Sequence, residues 1–201
     1  MKVVSDKAAR WLCISTVGCQ PSAVDVYDCA FPSALSEEDI YSHAVKMQIA
    51  ALLTLPLDEQ SFVLHSKPVA QREGAVASGL FAVAFATDLI YHQNVVGTLE
   101  QQSLASHLES CLSSGCLLPF PKLVSDDSCK HLLSPPFTVE IPIYCTCRLP
   151  YSETRDSDDD LMVMCSAQSC HVQWYHLRCV GSTASEQERA RRSSWYCDWC
   201  R

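Results

Sequence analysis

The 201-residue chain is predicted to be α+β and built in two parts. A layered α/β domain spans residues 1–121, a Pro-rich linker spans 122–141, and a small metal-braced module spans 142–201. Three observations carry this. The runs WLCISTV at 11–17 and VDVY at 24–27 have the β-branched composition of strands. The stretch Gly79 to Ile90 is apolar almost all round, as a helix inside a core must be. Between Cys145 and Cys200, cysteine and histidine fall into four short pairs, a spacing suited to gripping metal ions.

The two strand-like runs are separated by a turn at Gly18 to Pro21. Ser36-Glu37-Glu38-Asp39 reads as a helix start, a capping hydroxyl followed by acids that complement the helix dipole. Ile40, Ala44, Met47 and Ala51 repeat on one face with Val45, Ile49 and Leu52 beside them, so that helix is predicted to end near Pro56. Ser61 to His65 is a short strand, and Ser66 to Ala77 a loop. Thr98 to Leu112 is predicted as a more polar helix, with Leu104, Leu108 and Leu112 as its stripe and Gly115 as its stop. Pro119, Pro121, Pro135, Pro136 and Pro142 mark the following stretch as a partly extended linker. No internal repeat is present.

Composition excludes several classes of function. Apolar residues make up 48% of the chain, enough to bury a core. The longest greasy stretch, 79–90, is too short to cross a bilayer and contains Asp88. The N-terminus, MKVVSDKAAR, lacks the apolar centre of a secretion signal, so a soluble intracellular protein is expected. The formal net charge is −8 with no Lys/Arg-rich block, which argues against a nucleic-acid binder. Thirteen cysteines, an odd number at paired spacings, suggest metal in a reducing compartment rather than disulfides. Cys13, Cys19, Cys29, Cys111, Cys116 and Cys129 lie outside the C-terminal cluster and read as buried free thiols.

The four pairs are Cys145 and Cys147, Cys165 and Cys170, His176 and Cys179, and Cys197 and Cys200. Two members with one to four residues between them can hold one ion from a single turn, and two pairs complete a tetrahedral site, so eight ligands make two zinc ions. In so short a segment the ions stand in for a core. His171 falls outside the pairs and reads as a surface side chain.

This pattern resembles the PHD finger family over about the last 58 residues. The likeness rests on the ligand order (four cysteines, one histidine, three cysteines), on Trp174-Tyr175 before His176, and on Trp195 two residues before Cys197. A RING finger differs in its opening pair and places its histidine earlier. The resemblance implies cross-bracing: Cys145, Cys147, His176 and Cys179 would hold the first zinc, and Cys165, Cys170, Cys197 and Cys200 the second. It also implies a nuclear, chromatin-associated protein that binds a histone tail.

Within that family the chain is most similar to the inhibitor-of-growth type fingers, which read trimethylated lysine near the N-terminus of histone H3. They carry an aromatic before the first Cys, a Met three before the third and a Trp four after the fourth. Here those places hold Tyr144, Met162 and Trp174. Aromatic faces and a thioether suit a bulky cation with no proton to donate. Tyr144 and Trp174 are also compatible with ordinary packing. Ser166 follows Cys165 where an Asp is common, and the acidic loop with Asp158, Asp159 and Asp160 offers replacement carboxylates or is simply solvated. Ser185 and Glu188 form a capping box for a short helical insert.

Residues 8–121 resemble the ubiquitin-like-protein-specific cysteine proteases, especially transposon-borne copies, which implies a papain-like α/β layer. Trp11 is kept, but Arg10 stands at the place of the catalytic His. Asp28 matches the Asp, and Ser78 stands where the Cys would open an apolar helix, after Ala77. Arg72, with Gln71 beside it, takes the oxyanion Gln position. A serine needs a base more than a cysteine does, and the base is the residue replaced. A catalytically dead domain, a pseudoprotease, is therefore expected, with Ser78 as a helix N-cap. The competing functions are a residual hydrolase of that family or a ubiquitin-ligase module built on the zinc fold.

Overall fold

The computed structural model describes residues 1–5, 10–30, 41–56, 58–72, 77–93, 95, 99–123, 136–151, 161–181 and 194–201. The chain divides into two compact units. One comprises Met1–Val45 and Val63–Val139; the other comprises Lys46–Phe62 and Glu140–Arg201. The architecture is α+β. Among the described residues no helix is long and apolar enough to cross a membrane.

A five-stranded sheet has the order β1 (Lys2–Ser5), β2 (Trp11–Ser15), β3 (Ala23–Tyr27), β4 (Ser61–Ser66), β5 (Phe137–Pro142). β1–β2 and β2–β3 are antiparallel, and β3–β4 is parallel. A parallel pair needs a crossover, and α1 (His43–Ala50) lies within it. β3 is buried at every residue. Its Asp25 is paired with the Lys67 ammonium, 3.1 Å away.

α2 (Ser78–Ile90) packs against β2 and β1. Phe81 and Phe85 are buried edge to face with centroids 6.0 Å apart, in one core with Cys13, Tyr27, Val69 and Leu104. Each such phenyl contributes about 2–3 kcal/mol. Burial pushes the Cys13 and Cys29 thiols up to about 12, so both stay protonated.

Several expected elements move. The helix predicted after Ser36 begins at His43, where the Ser42 carbonyl accepts the Val45 N–H at 3.0 Å. The cap sequence 36–39 lies outside the described residues. The residues that α1 buries are Val45, Ile49 and Ala50, while Ala51 and Leu52 lie past its last turn. α3 (Leu104–Ser114) follows a 3-10 turn at Gln101–Ser103. It buries Leu104 and Cys111, and Leu112 is 73% exposed. Seven positions return a helix to nearly the same face, whereas eight carry it roughly 80° past. Gly115 ends α3 as expected, with the left-handed φ of 68° that glycine adopts without strain.

The end of the expected linker is β5 itself, in which Phe137, Val139 and Ile141 alternate with Thr138 and Glu140. Proline density masked that period-two signal. Of the expected buried thiols, Cys19 is half-buried, Cys116 is exposed, and Cys129 lies outside the described residues.

In the second unit, β6 (Met162–Met164) pairs antiparallel with β7 (Trp174–His176). Val163, Val172, Tyr175 and Leu177 form a small core among the cysteines. Tyr175 meets Trp195 edge to face, 5.5 Å between centroids. Pro56, Glu59 and Gln60 are stitched to the module. The Arg148 guanidinium donates to the carbonyls of Pro56, at 2.9 Å, and Glu59. The Ile143 N–H donates to the Gln60 carbonyl at 2.9 Å. The Gln60 amide donates to the His171 carbonyl at 3.1 Å.

Candidate metal centre and peptide face

All eight expected ligands converge into two groups of four, Cys145, Cys147, His176 and Cys179, and Cys165, Cys170, Cys197 and Cys200. Within each group the donor atoms lie within 4.8 Å of one another. Zinc–sulfur bonds of about 2.3 Å put tetrahedral sulfurs about 3.8 Å apart; Cys170 Sγ and Cys197 Sγ are 3.9 Å apart. Cys147 Sγ and His176 Nδ1 are 3.3 Å apart, near the shorter sulfur–nitrogen edge. Donor chemistry, number and spacing fit two zinc ions. The first pair shares its group with the third, and the second with the fourth, so the module is cross-braced. His171 is exposed and belongs to neither group.

The backbone is shaped for this. Cys145 and Arg148 have positive φ, 60° and 58°, and the Arg148 N–H closes the turn on the Cys145 carbonyl at 3.3 Å. Each left-handed residue costs about 1–2 kcal/mol, which metal ligation offsets. Backbone amides steady the sulfurs: Cys197 N–H donates to Cys165 Sγ and Gln173 N–H to Cys170 Sγ, both at 3.4 Å.

Tyr144, Met162 and Trp174 come from adjacent segments. The Cys145 N–H donates to the Trp174 carbonyl at 2.8 Å, which sets the Tyr144 segment against β7. β6 sets Met162 opposite His176, on the same face as Trp174. Tyr144 and Met162 are half-buried and Trp174 is exposed. Asp158, Asp159 and Asp160, like Ser185 and Glu188, lie outside the described residues. Sequence reading missed Met164, which stands opposite Trp174. Period-two spacing from Met162 was the available signal.

In the first unit the half-buried Arg10 forms an ion pair with the buried Asp28. The guanidinium also lies over the Tyr41 ring, 5.4 Å from its centroid. Asp28 Oδ1 accepts the Ala30 N–H at 2.9 Å, and the Gln71 amide donates to the Asp28 carbonyl at 3.0 Å. Ser78 is not the N-cap: Ala77 holds that position without a side-chain bond. Ser78 is the first helical residue, and its Oγ accepts the Trp11 N–H at 2.9 Å. A guanidinium holds its protons throughout the physiological range and cannot serve as a base.

Transcriptional regulatory protein PHO23 of Saccharomyces cerevisiae is 34% identical over 61 residues, 30% of this chain and 14% of that protein. Inhibitor of growth protein 3 of Homo sapiens is 37% identical over 60 residues, 29% of this chain and 11% of that protein; the Gallus gallus protein of that name matches equally. The chain thus spans a small part of the length of these curated relatives. No family model matches the chain, and no solved structure does.

Proposed function

We propose that the zinc module is a PHD-type reader of the histone H3 N-terminal tail, holding methylated lysine with Tyr144, Met162 and Trp174, in a nuclear protein. The observation that carries this is the exposed indole of Trp174 on the same face as Met162, beside the Tyr144 segment. A methylated ammonium keeps its charge but loses donors, so it favours ring faces and a thioether over a carboxylate. A two-stranded β6–β7 sheet offers an edge along which an extended peptide can add. The acids Asp158 to Asp160 would meet a basic tail. A matched length of 60 or 61 residues is that of the module, and one relative is named for transcriptional regulation.

The first part, on this reading, is a protease-like, transposon-derived scaffold without catalysis. Supporting it are the cation of Arg10 at the base position and the engagement of Ser78 by Trp11.

The test is titration of the zinc-loaded full chain with histone H3 tail peptides in each lysine methylation state. Tighter binding of trimethylated than of plain peptide is expected. Equal affinity, or preference for the plain tail, overturns the reading.

A further inference from the structure

The cross-strand partner of Trp174 is Met164. The ladder bonds flank this pair: Leu177 N–H to Leu161 carbonyl at 2.9 Å and Cys165 N–H to Gln173 carbonyl at 2.7 Å. Met164 and Trp174 therefore form a non-hydrogen-bonded pair, the kind that brings opposed side chains closest. Core packing does not explain two large apolar residues there, because Val163 and Tyr175 take the buried face. Met164 is 52% and Trp174 40% exposed. Within the described segment 161–181 the sole Asp, Glu, Lys or Arg is Arg178. The next hydroxyl along, Ser166, accepts the Trp195 N–H at 3.2 Å.

We propose that Met164 and Trp174 form an apolar subsite for the peptide side chain two residues from the methylated lysine, and that the module selects an apolar residue there over arginine. This rests on the tail-reading function proposed above. An extended peptide laid along β6 shows one face every second residue, and Met162 and Met164 have that same spacing. A methylated lysine on the Met162 side of the indole places the residue two away over Met164. A leucine-sized chain there covers thioether and indole together. An arginine meets a thioether with no carboxylate from 161–181, and its stacking on Trp174 competes with the methylammonium for one ring.

The experiment uses the zinc-loaded full chain and synthetic peptides with one trimethyl-lysine, differing only in leucine or arginine at the second position before or after it. Leucine is expected to bind about five-fold tighter than arginine at one of the two positions. Met164→Ser and Met164→Gln should bring that ratio near one while zinc content and methylation preference persist. Equal binding of the two peptides, preference for arginine, or a leucine preference that survives both substitutions overturns the subsite. If methylation preference stands and only the ratio fails, the tail-reading function survives without it. If the parent shows no methylation preference in any context, both fall.

Discussion

Ser78 Oγ accepts the backbone N–H of Trp11 at 2.9 Å, tying the first turn of α2 to strand β2. Ser78→Ala leaves that amide without its acceptor and should cost about 1–2 kcal/mol in chemical denaturation. Activity should not change, because neither parent nor variant is expected to cleave ubiquitin-like conjugates. Turnover by the parent that Ser78→Ala abolishes would falsify the non-catalytic reading.

Asp88 is buried in α2 and paired with the Lys122 ammonium at 2.9 Å. Burial raises its pKa above the ordinary 3.8, and Lys122 opposes the rise. A raised folded pKa means stability that is present at low pH and lost as pH rises through the folded value. Lys122→Met removes the opposing charge, lifts that pKa further and strands a carboxylate. The variant should be about 2–3 kcal/mol less stable than the parent at neutral pH. The deficit should shrink as pH falls toward 5. A deficit that grows on acidification contradicts this account; comparison with the parent cancels zinc loss common to both.

The eight ligands were legible from spacing alone, because metal chemistry fixes residue type and separation together. The core helix was legible because its apolar run leaves no second face. β5 was not: its prolines suggested a linker although Phe137, Val139 and Ile141 alternate. The union of residues 46–62 with 140–201 was also out of reach, since the bonds from Arg148 reach backbone carbonyls that carry no sequence mark. The role of Ser78 was misjudged by one residue, as helix boundaries commonly are.

Arg148 has a left-handed backbone and donates to two carbonyls from its guanidinium. Arg148→Ala should lower stability of the zinc module by about 1–2 kcal/mol and speed zinc loss to a chelator. Arg148→Lys should fall between, because an ammonium lacks the planar fork that spans two acceptors. Chelation rates identical to the parent's in both variants would show the strap to be inconsequential.

Metal analysis of the full chain should find two zinc ions. Cys165→Ser should lose more than the ion it ligates. The second and fourth pairs flank the third in sequence, so releasing them frees His176 and Cys179 as well. The Tyr175–Trp195 contact should open, shifting tryptophan emission to longer wavelength, and chelation of the parent should give the same spectrum. One firmly held ion with unchanged emission would show the sites to be independent.

Trp174→Ala separates recognition from folding. The bonds that hold this residue in place belong to its backbone: its N–H donates to the Val172 carbonyl at 2.7 Å and its carbonyl accepts from Cys145 at 2.8 Å. Both survive in alanine, and the indole is exposed rather than part of the core. Zinc content should therefore stay at the parent's level. What is lost is one ring face, worth about 1–2 kcal/mol toward a desolvated cation, or roughly tenfold in affinity. The loss should fall on the trimethylated peptide and leave the plain peptide nearly unaffected, so the preference itself disappears. A variant that weakens both peptides equally would mean that Trp174 merely lines the groove. A variant that binds both as the parent does would remove Trp174 from the site and place methyl recognition elsewhere.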